Sequence, residues 1–196
     1  MDDQKLMEQV KKGDHTAFEK IVRSYKNRIV NFLWRLTHDY QKSVELAQET
    51  FMRVYFKANK YKPIAPLSSW IYSIASNLAK TEMKKRQKHP VVSIDEIREN
   101  TSREVASVSP PSNSERIRNL RKALNSLSPR YRIPVILKDI EGFSQEEIAN
   151  ILKKPVGTVK ARVSRGRKCL RKELEKYSIP KEKPQNKEEG ADGRIG

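Results

Sequence analysis

The residues best suited to recognising DNA lie between Ser144 and Arg167, where two short helical segments are joined by a tight turn. Ser144 is a favoured N-cap residue, and Glu147 three positions later completes a capping box. Pro155 ends the first segment or begins the second, which is rich in cations. This pattern is typical of a helix-turn-helix that binds DNA.

The second of these segments has two faces. Val159 and Val163 recur at helical spacing and are expected to pack inward. The outward face then carries Lys160, Ala161, Ser164 and Arg165. Lys160 and Arg165 are interpreted as base contacts, because arginine bonds bidentately to guanine and lysine meets guanine or phosphate. Phosphate contacts are predicted for Arg162, Arg167, Lys168, Arg171 and Lys172. The alternative is a solvated basic helix face.

Length and charge indicate a polyanionic partner. The chain has 196 residues, enough for two small domains, and a formal net charge of +17 at pH 7. Nucleic acid is favoured over a membrane, since no apolar run approaches the length of a spanning helix. Residues 1–5 are acidic and polar, unlike a secretory leader. A cytoplasmic localisation is therefore expected.

Several classes of function are not expected. The single cysteine, Cys169, excludes an internal disulfide and a multi-cysteine zinc site, and the histidines are too scattered for a metal cluster. The sequence shows neither a phosphate-binding glycine loop nor a nucleophile paired with a base. We therefore expect no catalytic residue, no metal, no cofactor and no small-molecule substrate, and the protein is predicted not to be an enzyme.

Composition divides the chain into two helical blocks. Long amphipathic runs, few glycines and the lack of alternating strand patterns predict an all-α fold, with two small helical domains joined by a flexible linker. The linker and tail are too polar to build a core. The predicted organisation is a domain over residues 1–89, a linker over 90–113, a domain over 114–177 and a disordered tail over 178–196.

The first block is predicted to contain a long amphipathic helix capped by Asp14 and a second helix over residues 42–57. The second helix leaves Glu45, Gln48 and Glu49 near one edge of its polar face. This patch is conspicuous in so basic a chain. Carboxylates near a helix N-terminus are also favoured by the helix dipole alone, so the residues themselves leave a specific role open.

A loop over residues 59–67 precedes a third helix whose rear half is cationic. Aromatic rings stack on unpaired bases and cations follow the backbone, so Tyr61, Trp70 and Tyr72 suit a single-stranded nucleic-acid site. Aromatic residues at helical spacing usually pack inward, so Trp70 and Tyr72 are expected in the core. Tyr61, on a loop bounded by prolines, is the candidate for an exposed contact.

The order of these motifs along the chain is more specific than any one of them. They are Gly13-Asp14, Ala17-Phe18, residues 45–51, residues 69–77 with their basic tail, residues 127–132 and residues 143–167. In this order and spacing the chain resembles a sigma factor of the extracytoplasmic-function type, within the sigma-70 family of bacterial RNA polymerase. The resemblance covers nearly the whole chain except the linker and the tail.

The resemblance implies a fold, a function and partners. The first block would be a sigma-2 domain and the second a sigma-4 domain. The protein would bind core RNA polymerase and direct promoter-specific transcription initiation, recognising minus-ten and minus-thirty-five elements of promoter DNA and helping the DNA to melt. An anti-sigma factor, often membrane-bound, would cover both domains until a stress signal arrives.

The same resemblance assigns roles by position. Docking on core polymerase is implied for Glu45, Gln48 and Glu49. Contact with the minus-ten element is implied for Asn77, Lys80, Lys84, Lys85 and Arg86. Capture of a flipped base is implied for the loop that contains Asn59, Lys60, Tyr61 and Lys62. Contact with the minus-thirty-five element is implied for Thr158, Lys160, Ala161, Arg162, Ser164, Arg165, Arg167 and Lys168.

Two departures from the family pattern affect single contacts. Residues 42–45 read Lys-Ser-Val-Glu where Asp-Ala-Glu-Asp is common, and Ala161 replaces a frequent serine.

Two other functions remain open from the sequence. A stand-alone helix-turn-helix regulator would bind duplex DNA without polymerase. An RNA-binding basic protein would prefer single-stranded RNA.

Overall fold

The computed structural model describes residues 2–88 and 113–177, and every regular element within these two ranges is helical. The all-α prediction is confirmed. The predicted linker lies outside the described residues except for Asn113, and so does the whole predicted tail.

Residues 2–88, the described part of the first block, form four α-helices and a short 3₁₀ turn. They are α1 (Asp3–Lys11), α2 (His15–Thr37), α3 (Tyr40–Phe56), the 3₁₀ turn (Ala58–Lys60) and α4 (Leu67–Lys88). Helix α1 was not predicted from the sequence. It buries Leu6, Met7 and Val10 against α2. An apolar stripe of only two turns gives a weak periodic signal in the sequence.

Side-chain caps begin three of these helices, as short polar residues commonly do. Asp14 Oδ1 accepts the Ala17 N–H at 3.1 Å, which confirms the predicted cap of α2. Asp39 caps α3 in the same way, and Asp2 caps α1. Gly13, with φ of 91°, makes the left-handed turn between α1 and α2.

Helix α2 is the centre of the first block and packs against α1, α3 and α4. Its inward stripe includes Ile21, Phe32 and Leu33, all fully buried. Tyr72 of α4 is also fully buried, with its ring 4.9 Å from that of Phe32, so its predicted core position is confirmed. These contacts fix the direction of α4, which carries the predicted minus-ten residues.

Residues 113–177, the second described range, form four helices. They are α5 (Asn113–Ser126), α6 (Pro129–Asp139), α7 (Gln145–Leu152) and α8 (Val156–Glu175). Helix α8 packs against the other three, and its most extensive contact is with α6. The second block therefore holds the cationic helix on a small helical base.

The two blocks contact each other directly, through α4 against α7 and α2 against α6. The Tyr72 and Phe143 rings lie 4.8 Å apart, and the Arg121 guanidinium lies 4.4 Å from the ring of Trp34. We call this contact the inter-block seam. The sequence predicted two tethered domains without it, because residues so far apart along the chain produce no periodic pattern.

Arg132 lies at the seam and is 7% exposed. It donates to the backbone carbonyls of Asn125 and Leu127 within its own block, and to the carbonyl of Leu36 in the first block at 2.9 Å. Burial lowers the pKa of Arg132 to about 10. Carbonyls at helix ends lack intrahelical donors, so one buried guanidinium satisfies the ends of α2 and α5 together.

His38 ends α2 in a left-handed conformation with φ of 55° and lies beside the same cations. Burial, followed by the positive charges of Arg132, Arg121 and Arg86, lowers the pKa of His38 to about 4. The imidazole is therefore neutral at physiological pH.

Candidate nucleic-acid and partner interfaces

The start of α7 has the predicted capping box. Ser144 Oγ accepts the Glu147 N–H at 3.1 Å, and Glu147 Oε2 accepts the Ser144 N–H at 2.8 Å. Lys153, with φ of 50°, ends α7, and α8 begins directly after Pro155. This local chemistry produces the helix-turn-helix geometry that the sequence predicted.

Helix α8 is fixed from behind by its apolar stripe. Val159 and Val163 are buried, as predicted, and Gly166 is buried against α6. A Cβ added at Gly166 would lie 2.6 Å from Val135 Cγ2 and 3.3 Å from the Tyr131 carbonyl oxygen. Because even one methyl group does not fit there, Gly166 sets how closely α8 approaches α6.

The front of α8 presents the predicted minus-thirty-five residues to solvent. Lys160, Ala161, Ser164, Arg165 and Lys168 are exposed, while Thr158 and Arg162 are half-buried. A cleft of about 450 Å³ runs beside them and is lined by Gln145, Lys160, Val163, Ser164, Arg167, Lys168 and Arg171. This arrangement concentrates positive charge on one groove-sized face, as phosphate binding requires.

Arg167 differs from its neighbours because it is already paired. Its Nε lies 3.0 Å from Asp139 Oδ2, and its Nη2 bonds Asp139 Oδ1. That hydrogen-bonded carboxylate raises the pKa of Arg167. The sequence predicted a phosphate contact for Arg167, but its guanidinium is already paired with Asp139 of α6. Asp139 precedes it by 28 residues, and nothing in the local pattern reveals the pairing.

The predicted minus-ten face lies on α4. Asn77, Lys80, Lys84 and Lys85 are exposed along it. Arg86 instead ties α4 to the start of α3: it bonds Asp39 Oδ2 at 2.6 Å, Glu82 at 3.0 Å and the Thr37 carbonyl at 3.1 Å. Burial raises the pKa of Asp39, but the Lys42 N–H and Arg86 outweigh it and lower the pKa overall. Arg86 thus acts as a structural cation in this structure.

The loop before α4 corrects one prediction. Tyr61 was predicted to be an exposed contact, yet it is only 3% exposed. Its ring lies 5.3 Å from that of Trp70, and its hydroxyl donates to the Ala65 carbonyl at 3.1 Å. Burial raises the pKa of Tyr61. Tyr61 therefore braces the loop from inside, since its phenol finds both an apolar surface and a local acceptor.

Other residues of this loop do face solvent. Asn59, Lys60 and Lys62 are exposed, as the sequence required. Ile64, which was not predicted as a contact from the sequence, is 89% exposed at the tip. An apolar side chain between two prolines on a surface loop was the signal that could have identified it. The tip thus offers cations and one apolar group to a ligand.

The acidic patch on α3 is present and partly paired within its own helix. Glu45 is exposed and lies 2.9 Å from Lys42 Nζ, and Glu49 lies 2.5 Å from Arg53 Nη2. Gln48 is exposed between them. These are surface pairs in high dielectric, so they contribute little to stability and exchange readily for other partners.

An apolar groove adjoins this patch, and the sequence analysis did not find it. It lies between α2 and α3 and has a volume of about 570 Å³. Met52 and Phe56, one helical turn apart on α3, are 58% and 76% exposed at its edge. Both side chains lie next to the buried apolar stripe of α3, outside the core of the first block. Exposed apolar surface is common at protein-binding sites.

Within residues 2–88 and 113–177, no group of histidine, cysteine and acidic side chains is placed to hold a metal ion. No helix in the same ranges is long and apolar enough to cross a membrane.

Comparison with protein families matches both blocks. The family model described as "Sigma-70 region 2" matches residues 21–89, and that described as "Sigma-70, region 4" matches residues 117–170. The first match covers α2, α3 and α4, and the second covers the helix-turn-helix. A stand-alone helix-turn-helix regulator would not require the first match.

Relatives match along most of the chain. The ECF RNA polymerase sigma factor SigW of Bacillus subtilis (strain 168) is 35% identical over 180 residues, which are 87% of this chain and 95% of that protein. The ECF RNA polymerase sigma-E factor of Escherichia coli (strain K12) is 31% identical, over 86% of this chain and 92% of that protein.

Solved structures give the same fold. CnrH in complex with the cytosolic domain of CnrY has a TM-score of 0.68 and is 20% identical, covering 90% of this chain and 99% of that one. The sigma factor RpoE in complex with the anti-sigma factor NepR, from Bartonella quintana, has a TM-score of 0.61 and is 28% identical. That match covers 81% of this chain and 96% of the RpoE chain.

Proposed function

The chain belongs to the sigma-70 family, in its extracytoplasmic-function group, and we propose how its surfaces divide the work of directing RNA polymerase to promoters. The observation that carries this proposal is that the two matched regions lie on separate blocks, each with its own exposed interaction face. We also propose that the protein acts in the cytoplasm beside polymerase and DNA. It supplies specificity there and no catalytic step of its own.

The minus-thirty-five element is assigned to the front of α8. Lys160 and Arg165 are exposed near the middle of that face, where an inserted helix meets base edges. Arg162, Lys168 and Arg171 lie nearer the walls of the groove and hold phosphates. Thr158, Ala161 and Ser164 add small groups that let the helix approach the bases closely. Arg167 contributes less, because Asp139 already holds it.

The minus-ten element is assigned to α4 and the loop before it. Asn77, Lys80, Lys84 and Lys85 form a continuous exposed strip that suits the upstream part of the element. The loop braced by Tyr61 exposes Asn59, Lys60 and Lys62 for a base displaced from the duplex. A rigid loop suits this task, because a preformed pocket offsets part of the energy lost on unstacking.

Core polymerase is assigned to the acidic patch with its apolar groove. Glu45, Gln48 and Glu49 supply polar specificity, while Met52 and Phe56 supply apolar area beside them. Protein interfaces combine an apolar centre with a polar rim in this way. The single-helix ion pairs of Glu45 and Glu49 are weak enough to open when a cationic partner arrives.

An anti-sigma factor is a further proposed partner. The Bartonella quintana sigma factor described above was solved with one bound. Within the part of the chain that the structure describes, the groove between α2 and α3 and the basic face of α8 are exposed surfaces that such a partner would cover.

The docking assignment is tested with Glu49→Lys. The purified chain is mixed with core RNA polymerase and complex formation is followed by size-exclusion chromatography. We expect the unaltered chain to co-elute with polymerase and Glu49→Lys to bind at least about tenfold more weakly, because the reversed charge faces the docking surface. Glu8→Lys, an equal charge change on α1, is the control and should bind normally. If Glu49→Lys keeps its helicity and binds core polymerase normally, the acidic patch is only a solvated helix face.

A further inference from the structure

The loop before α4, residues 59–67, must hold one shape if it captures a base, because a preformed site costs less to bind. Its regular structure is limited to the 3₁₀ turn that ends at Lys60. Two supports come from residues nearby in the chain, since the Trp70 ring and the Ala65 carbonyl both contact Tyr61. A third support comes from helix α1, which is distant in the sequence.

Helix α1 contacts this loop at two places. It packs against the 3₁₀ turn, in which Ala58 is buried. In its last turn, Lys11 Nζ lies 5.8 Å from the centre of the Tyr61 ring, within the range of a cation–π contact. Lys11 also donates to Glu8 Oε1 at 2.7 Å, but Glu8 is exposed and a surface pair of this kind contributes little to stability. The ring contact therefore connects the end of α1 to the loop.

The charges of α1 also act on the same tyrosine. Burial raises the pKa of Tyr61, and nearby carboxylates raise that pKa further. These carboxylates belong to α1 and its cap: Asp3, Asp2 and Glu8. The phenol stays protonated in this environment and keeps the hydrogen that it donates to the Ala65 carbonyl.

Helix α1 is itself fixed to the core of the first block. The Tyr25 hydroxyl of α2 donates to Asp3 Oδ2 at the start of α1, and Met7 in the middle of α1 is fully buried. A helix of nine residues is marginal by itself, so these contacts hold it in place. Because α1 is anchored on α2, its contact with Tyr61 ties the loop to the core.

We propose that α1 is a positioning element for minus-ten recognition, in which Lys11 holds the loop through the Tyr61 ring. The proposal rests on the assignment of this loop to a base displaced from the duplex. Lys11 acts through Tyr61 rather than on DNA, because its side chain is only 20% exposed. The exposed residues of the loop, Asn59, Lys60 and Lys62, remain the DNA contacts. Loss of the Lys11 contact should therefore affect base capture more than binding to duplex DNA.

Binding to forked promoter fragments tests this proposal. The full chain is bound to core RNA polymerase, and each base of the single-stranded minus-ten tract is replaced in turn by an abasic site. The unaltered chain should lose affinity about tenfold to hundredfold at the captured position, because the contacts of one base are absent. We expect Lys11→Met to make this loss about threefold smaller, as loss of a cation–π contact allows the loop to move.

Two different failures can be distinguished in this experiment. If the unaltered chain loses no affinity at any abasic position, the loop captures no base, and the assignment of the loop is wrong together with the proposal. If the unaltered chain shows the loss and Lys11→Met shows the same loss, the loop captures a base without help from Lys11. That result would overturn the proposal alone.

Two further variants separate positioning from charge. Lys12→Met removes an equal charge from the exposed residue that follows α1, and should leave the abasic loss unchanged. Lys11→Arg keeps a cation near the ring and should restore the loss of the unaltered chain. An effect of Lys12→Met as large as that of Lys11→Met, or a failure of Lys11→Arg to restore the loss, would contradict the proposal.

Hydrogen exchange in the free chain tests the same support without DNA. The Tyr61 N–H donates to the Ala58 carbonyl at 3.0 Å, and the Lys60 N–H donates to the Lys57 carbonyl at 2.8 Å. We expect Lys11→Met to speed exchange of these two amides about threefold and to leave the amides of α2 unchanged. Unchanged exchange at both loop amides would refute the support, and equally faster exchange in α2 would show a general destabilisation instead of a positioning role.

Discussion

The arginines of the inter-block seam and those of the outer face of α8 are the same residue type in opposite situations. Arg132 and Arg35 are held by oxygens of the protein, and their positive charge is used within the fold. Arg165 is exposed, and among the described residues it has no hydrogen-bond or ion-pair partner. A buried, bonded guanidinium specifies how helices pack, while an exposed one is available to phosphates and bases. Exposure and pairing, rather than residue type, separate structural from DNA-binding cations here.

Removal of the Arg132 guanidinium should destabilise the fold. Arg132→Met keeps an unbranched apolar stem but leaves the carbonyls of Leu36, Asn125 and Leu127 without their donor. We expect the free energy of unfolding to fall by about 3–5 kcal/mol in urea denaturation. Arg171→Met, at an exposed site of α8, should change it by less than about 0.5 kcal/mol. Equal effects of the two substitutions would contradict a structural role for Arg132.

Loss of an exposed arginine should instead affect specificity. Arg165→Ala is expected to reduce discrimination at the minus-thirty-five element by about 1–3 kcal/mol for each base contacted, with stability unchanged. Competition binding with single-base variants of the element measures this. Arg167→Ala should weaken binding to all sequences alike and by less, because Asp139 already holds that guanidinium. If Arg165→Ala has the same base preference as the unaltered chain, Arg165 contacts the DNA backbone rather than a base.

The seam cations also predict a pH dependence. The pKa of His38 is about 4 in the folded protein, below the ordinary value of 6.5, so the unfolded chain binds the extra proton first. Stability is therefore retained above pH 6.5 and falls as the pH decreases from 6.5 toward 4, by about 2 kcal/mol between pH 7 and pH 5. Urea denaturation at several pH values measures it.

The control for that measurement is His38→Asn. Asparagine tolerates the left-handed backbone at this position but does not titrate in the window. The slope of stability against pH should be shallower in this variant. If His38→Asn has the same slope as the unaltered chain, the pH dependence arises elsewhere.

The smallest expected effect concerns the salt dependence of DNA binding. If the front of α8 neutralises about five phosphates, binding of the full chain to minus-thirty-five duplex should fall with salt at a log–log slope of about −4 to −5. Asp139→Asn frees Arg167 and should steepen this slope by about one. A slope near zero in the unaltered chain would show that DNA does not bind to the front of α8.

Local chemistry explains which features the sequence predicted. The capping box of Ser144 and Glu147 and the cap at Asp14 depend on residues three positions apart, so their patterns are visible in the chain. The inward stripe of α8 follows from spacing in the same way. Helix α1 was missed because its apolar stripe is short and is stabilised by packing on α2.

The features that the sequence did not predict depend on distant partners. Arg35 and Glu141 are 106 positions apart, and Arg167 and Asp139 are 28 apart. Met52 and Phe56, at the exposed apolar edge of the α2–α3 groove, likewise depend on tertiary packing, because the other helices of the first block do not cover them. Tyr61 was predicted to be exposed from its loop position, but Trp70 and the Ala65 carbonyl bury it. Side-chain type identified candidates in each case, and only tertiary packing decided their roles.

Transcription by the reconstituted complex tests most directly that the exposed cations of this chain direct polymerase to promoters. The purified chain is added to core RNA polymerase with genomic fragments, and the transcript start sites are mapped. We expect a discrete set of starts that share two upstream elements, and loss of that preference with Arg165→Ala. Duplex binding without a polymerase complex, and no discrete starts, would contradict this.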